Sequence, residues 1–328
     1  MSFSDREYFR NFEKISWSYL SKNYDYYYLK AMHEKNRLDG ADTIIVGSSH
    51  ALFGINEHDL TYAGKTIQFS IASQDLYYDF LHIKKAFSEG KKQIKNCFIN
   101  FGYYMLYQDV SRAELVKHLV PNVYMNLFGE EGKHNYVDAV ARDPLSVVEY
   151  NKDLYPPDII RSWCEFWSNR TVMEEGTFFN NINSRANHNM LEVRKVIWNT
   201  LSEEEKYDVA KDRTLNGHNK HVKYEESHIE NIKIIQEMVS FLYTNGVKPL
   251  FFITPYTKYY NQYIYSGYKP DIYKVLDELD YPVEFFDMND FQDEFTDEDF
   301  LDSDHLNDTG AKKATVLLDS YLENVYFG

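Results

Sequence analysis

Strand-forming and helix-forming segments alternate at both ends of this 328-residue chain, and that alternation predicts a three-layer α/β/α sandwich around a mainly parallel sheet. Two observations carry the prediction. Residues 41–104 run strand, helix, strand, helix, strand, and the same rhythm resumes from residue 229 to the end. Between them, residues 105–228 hold aromatic and helical fragments with no strand–helix alternation. The chain therefore divides into an N-terminal helical arm (1–40), an α/β core (41–104 and 229–328), and a mostly helical insertion (105–228) expected to form a lid beside the site.

The elements follow in order. In the arm, Phe9, Phe12, Ile15, Trp17 and Leu20 recur near helical spacing, with a tyrosine-rich continuation. Residues 43–47 open the core as a buried strand, because Thr43, Ile44, Ile45 and Val46 are mostly β-branched. A short helix is expected within 50–62 and a strand over 66–69, introduced by Gly64. Residues 76–87 have helical periodicity, closed by Ser88-Glu89-Gly90. A third strand spans 96–101. Within the insertion, 145–150, 159–167 and 187–201 read as helices, and Pro156-Pro157 and 180–183 as loops. Residues 229–242 form a helix ended by Gly246. Residues 249–254 form a buried strand, 272–279 a helix, 283–287 the last strand, and 309–321 a terminal helix capped by Thr309.

Composition narrows the function. A net charge of -16, from 35 basic and 51 acidic residues, repels nucleic acid and anionic lipid. Mean hydropathy is -0.55, and no apolar run is long enough to span a bilayer, so no integral membrane segment is expected. Met1-Ser-Phe-Ser-Asp-Arg-Glu7 lacks the apolar core of a secretory signal, which points to the cytoplasm. The two cysteines, Cys97 and Cys164, read as small apolar fillers and supply neither a disulfide framework nor a zinc site. The 29 tyrosines add polar tips that suit water or sugar hydroxyls.

Chemistry concentrates in two distant segments. Gly47-Ser48-Ser49 follows the first strand, and ligands gather at the carboxyl ends of strands in open α/β sheets. Ser49 is thus a candidate nucleophile, although Ser48 and Ser49 also suit a helix cap. Near the other end, Asp302 and His305 lie three residues apart, in Asp302-Ser303-Asp304-His305. If that turn is helix-like, both side chains point the same way. A carboxylate there fixes the imidazole tautomer and stabilises the imidazolium.

These two segments, in the order serine, aspartate, histidine, resemble the SGNH (GDSL-like) hydrolase family. The likeness is to a divergent branch similar to polysaccharide and teichoic-acid modification proteins. The resemblance implies an SGNH-hydrolase or flavodoxin-like sandwich. It makes Ser49 the nucleophile, His305 the general base and then acid, and Asp302 its orienter. The pattern departs from the family in three places. Ser48 stands where aspartate is usual. Ser73 stands where the oxyanion-hole glycine is expected, in Gln68-Phe-Ser70-Ile-Ala-Ser73. Phe101-Gly102-Tyr103-Tyr104 supplies no third-motif asparagine, so the implied oxyanion hole is Ser49, Ser73 and a Tyr104 hydroxyl.

The expected activity is hydrolysis or transfer of an O-acyl group on a carbohydrate, in cell-surface polysaccharide biosynthesis, with no cofactor and no metal. The alternatives are a glycan-binding or assembly protein on a degenerate scaffold and transfer of a phosphorus-based group through Ser49. Tyr103, Arg213, His218 and Tyr256 are candidate substrate-binding residues. His218 and His221 could share a face, but no third metal ligand is near them in sequence. Asp302 and Asp304 resemble the start of a calcium loop, yet its glycine position is occupied by Asn307. His50 is expected to point away from the Ser49 side chain if strand geometry continues. The oligomeric state is not readable from the chain.

Overall fold

The computed structural model describes residues 3–89, 94–143, 149–173 and 198–328. Among them, one sheet contains β1 (Thr43–Gly47), β2 (Thr66–Ser70), β3 (Asn96–Asn100), β4 (Pro249–Ile253) and β5 (Glu284–Asp287). All neighbours pair in parallel, in the order β2-β1-β3-β4-β5. The alternation of strand and helix forces this, because parallel neighbours need a crossover between them. The helices used below are α1 (Phe3–Lys22), α2 (Tyr24–Met32), α3 (Ser49–Gly54), α4 (Leu76–Glu89), α5 (Pro157–Met173), α6 (Glu203–Asp212), α7 (Glu225–Thr244), α8 (Tyr268–Asp277) and α9 (Asp308–Tyr321).

Successive strand residues point to opposite faces, so each strand feeds two cores. Ile44, Val46, Cys97, Ile99, Phe251 and Ile253 pack with α2, α4, α7 and α8. Ile45, Phe98, Leu250, Phe252 and Phe286 pack with α3 and α9. The result is the α/β sandwich that the alternation predicts. β1 connects to β2 through α3 on one face, and β2 connects to β3 through α4 on the other. The connection therefore reverses beside the carboxyl end of β1, which makes a crevice at that edge. Register aligns the edge: Gly47 lies opposite Ser70, and Ile253 opposite Asp287.

The arm does more than extend the core. β2 is an edge strand, and α2 lies over it: the Tyr28 hydroxyl donates to the Gln68 carbonyl at 2.8 Å. His33, just past α2, stacks on Phe69 at 4.3 Å. α1 also packs on α5 of the insertion, with Trp17 edge-on to Trp163 at 5.1 Å and Tyr8 stacked on Tyr155.

Several boundaries differ from the sequence expectation. The short helix expected within 50–62 spans Ser49–Gly54, starting one residue earlier, and a 3-10 turn, Glu57–Asp59, follows it. Pro157 is the first residue of α5 rather than part of a loop; a proline there loses no helical hydrogen bond. α8 begins four residues before the expected 272. α9 begins at Asp308 and its cap is Asn307, not Thr309: Asn307 Oδ1 accepts from the backbone N–H groups of Thr309 and Gly310. Within 145–150, residues 149 and 150 are irregular, and the rest lies outside the described residues, as do Gly90, 180–183 and 187–197. Trp198–Thr200 forms a 3-10 turn. Both cysteines are buried and no disulfide joins them, and no described helix is long and apolar enough to cross a membrane.

Candidate active site

The nucleophile candidate is placed by the turn between β1 and α3. Gly47 adopts φ +149, and an added Cβ would lie 2.5 Å from Asn100 Cβ, so only glycine fits this close pass of β1 by β3. Ser48 is the N-cap of α3, its hydroxyl accepting from the His50 N–H. Ser49 is the first helical residue. The two readings of the serine pair thus divide between neighbours: Ser48 caps, and Ser49 faces the crevice.

The second segment arrives through an aspartate-organised turn. Asp302 Oδ1 accepts from the backbone N–H groups of Asp304 and His305, at 2.9 and 2.8 Å. This turn replaces the helix-like one expected, yet it still brings the two side chains together. His305 Nδ1 lies 3.1 Å from each Asp302 oxygen. A carboxylate only accepts, so Nδ1 carries the proton and Nε2 is left as the acceptor. Ser49 Oγ lies 2.8 Å from that Nε2. Segments 256 residues apart therefore meet in a Ser–His–Asp arrangement, with His305 buried and Asp302 nearly so.

Two residues whose place beside His305 the sequence did not predict, His50 and Asp304, complete the surroundings. His50 does not point away: the chain turns into α3 after Gly47, and the His50 ring stacks on His305 at 4.7 Å and 9°. Its Nδ1 lies 3.3 Å from Ser48 Oγ and its Nε2 3.4 Å from Asp304 Oδ2. Asp304 Oδ2 also lies 3.7 Å from His305 Nδ1. Burial alone would raise the Asp304 carboxyl, but the Arg213 guanidinium and then His305 outweigh it, holding it well below the usual carboxylate range. Arg213 donates through Nε and Nη2 at 3.0–3.1 Å. Burial lowers His50 to about 4, opposed by its hydrogen bond to Asp304, so its ring is neutral near pH 7. Asp304 adjoins His305 in sequence and could have been flagged; Arg213 lies 91 residues away, beyond any local signal.

Ser49, Ser73, Tyr104, Arg213, His218 and His221 all line one cavity of about 610 Å³. Its far walls come from residues 108–116 and 213–227 of the insertion and from α7. Ser73 has φ +66, the left-handed conformation that glycine adopts without strain, and Gln108 Nε2 donates to its carbonyl at 2.8 Å. The Tyr104 ring stacks on His218 at 3.8 Å. Burial raises the Tyr104 hydroxyl, so it stays protonated and able to donate.

Two predicted contacts are corrected. Tyr103 does not line the cavity: its hydroxyl donates to Asp287 at 2.6 Å, behind the edge of the sheet. Tyr256 does not line it either; its fully buried ring sits edge-on to His50 at 5.2 Å and takes part in the packing behind His305.

Among the described residues, two groups of side chains have metal-ligand chemistry and proximity. In the first, His50, Asp304 and His305, the carboxylate is already committed to Arg213, whose charge opposes a cation. In the second, Asp109, His134 and Glu230, the amide of Asn135 donates to both carboxylates, at 3.1 and 2.8 Å. His134 lies between them and is raised because the Asp109 hydrogen bond and the surrounding carboxylates outweigh its burial. The His134 ring is thereby already engaged by both carboxylates, Glu230 at 3.2 Å and Asp109 at 3.6 Å. The other pair weighed, His218 and His221, is engaged differently. His218 Nδ1 pairs with the Tyr260 hydroxyl, and His221 is depressed by burial and by Lys220, Arg213 and Lys223.

A comparison with protein-family models finds no match to this chain, and a comparison with curated proteins finds none either.

Proposed function

We propose that this chain is an SGNH-type serine esterase or acyltransferase acting on an O-acyl group of a carbohydrate. The observation that carries the reading is the Ser49–His305–Asp302 hydrogen-bond chain, at 2.8 and 3.1 Å, opening on a cavity. Ser49 Oγ attacks the acyl carbonyl carbon as its proton passes to His305 Nε2. Asp302 holds the resulting imidazolium. The carbonyl oxygen, now negative, takes donors from the Ser49 and Ser73 backbone N–H groups and the Tyr104 hydroxyl. The bond to the sugar oxygen breaks, and His305 returns the proton to that oxygen. Water or a second hydroxyl then releases the acyl-serine by the reverse sequence. Asp304, Arg213 and His50 act behind the imidazole as positioning residues. The exposed Tyr224 ring and the polar groups that line the cavity favour a carbohydrate over a simple alkyl chain.

The test is release of acetate or p-nitrophenol from acyl esters, together with labelling of Ser49 by a fluorophosphonate. Ser49→Ala and His305→Ala should each lower turnover by roughly 10⁴-fold or more, and Asp302→Asn by about 10²–10⁴-fold. Unchanged activity in Ser49→Ala would falsify the assignment. One observation favours a second reading: no asparagine is among the described residues lining the cavity, so an oxyanion donor expected from the resemblance is not there. Glycan binding by a protein whose Ser49 resists the probe would mark a non-catalytic binding or assembly protein.

A further inference from the structure

Cations gather on one wall of the Ser49 cavity, in a chain whose net charge is -16. Arg213, Lys220 and Lys223 lie on a single continuous segment, the two helical turns Arg213–His218 and Asn219–Lys223, and all three line the cavity. Their fields converge on His221. Burial first, then Lys220, Arg213 and Lys223, hold its imidazole at about 4, and among the described residues no carboxylate acts against them. His221 is therefore a neutral ring surrounded by three positive charges.

Four acids line the same cavity, Asp109, Glu114, Glu225 and Glu226, and three of them are paired with cations. Asp109 pairs with Arg112 at 3.0 Å, Glu226 pairs with the same guanidinium, and Glu114 pairs with Lys117 at 2.6 Å. Glu225 is the remaining acid on that rim. Lys220 and Lys223 have no ion-pair partner among the described residues. Arg213 uses Nε and Nη2 on Asp304, which leaves Nη1 for another acceptor.

We infer that this wall holds an anionic oxygen group of the substrate, a phosphate or a carboxylate, while the acyl carbon lies at Ser49. The second half of that statement rests on the esterase reading; the anion site itself does not. Cations without an ion-pair partner on a concave wall attract ions of opposite sign. A guanidinium edge and two flexible ammonium groups also suit phosphate or carboxylate oxygens. The substrate class this selects is an acyl ester that also carries a phosphate or a carboxylate, in preference to an uncharged one.

The test titrates the full chain by calorimetry with inorganic phosphate in one arm and glucuronate in the other. Both arms are repeated on the Lys220→Gln/Lys223→Gln double variant. Both lysines are exposed and carry no ion pair among the described residues, so this variant should fold. One of the two anions should bind the wild type, and the double variant should bind it at least about tenfold more weakly. Raised salt should weaken the wild-type affinity as well. The arm that binds tells phosphate from carboxylate. Binding of neither anion, or equal binding by both proteins, overturns the inference. Fluorophosphonate labelling of Ser49 is read on the same samples. An unlabelled Ser49 with lysine-dependent anion binding would sink the esterase reading and leave the anion site standing.

Discussion

Ser48, Ser49 and His50 are consecutive, and the backbone gives each a different task. Ser48 is extended and caps the helix; Ser49, one residue later, has its hydroxyl on the His305 imidazole; His50 stacks behind that ring. His50 carries a pH prediction whose sign follows from its burial. The folded ring is held to about 4, against an ordinary value of 6.5. Between those values the unfolded chain binds the proton and the folded chain does not, so stability from the neutral ring is full above about 6.5 and falls as pH drops toward 4. His50→Gln removes that titration while keeping a donor for Asp304. Urea unfolding at pH 7 and pH 4.5 should show the wild type losing roughly 2–3 kcal/mol relative to the variant. A difference that does not change with pH would mean that the ring is not held neutral.

Between elements, the deciding feature is the pass of β1 against β3 at Gly47. A methyl group there meets Asn100 Cβ at 2.5 Å on a backbone of φ +149. Gly47→Ala should lower stability by roughly 1–3 kcal/mol, by thermal unfolding. On the proposed esterase reading, turnover should fall further than that loss of folded protein explains, because Ser49 lies two residues downstream of the strained turn. The second element that matters is the turn at 302–305. Its spacing suggested a helical face, and the structure instead closes it through Asp302 accepting two backbone N–H groups. Both geometries bring the carboxylate to His305, which is why the right pair emerged from the wrong local conformation.

Across the whole molecule, the arm and insertion are as much part of the fold as the sheet. α2 covers β2, whose unpaired edge would otherwise be open to another chain. A chain lacking residues 1–38 should therefore elute as aggregates or higher oligomers in size-exclusion chromatography, beside the full-length profile. A truncated chain with an unchanged profile would show that α2 is not needed to cover that edge. The insertion supplies the cavity wall opposite Ser49, including Arg213, which binds Asp304 with one edge and lines the cavity. Removing Arg213 would leave a buried carboxylate uncompensated, the arrangement in which broken ion pairs cost most.

Local chemistry by itself was enough for much of this protein. β-branched runs marked the strands, helical periodicity marked the core helices, and glycine and serine at the end of β1 marked the turn that sets Ser49 at the crevice. Asp302 and His305 were legible because three residues of spacing force proximity in most compact turns. Tertiary structure alone decided that residues 49 and 305 share a crevice, since only the reversal of connection beside β1 brings them to one edge. It also decided which tyrosines reach the cavity. Tyr103, Tyr104 and Tyr256 look alike in sequence, yet only Tyr104 lines it, because Tyr103 turns to Asp287 and Tyr256 packs on His50. The Arg213–Asp304 pair belongs to the same category: a charge-assisted contact across 91 residues depends on how an insertion folds back on a sheet, and no periodicity or spacing encodes that.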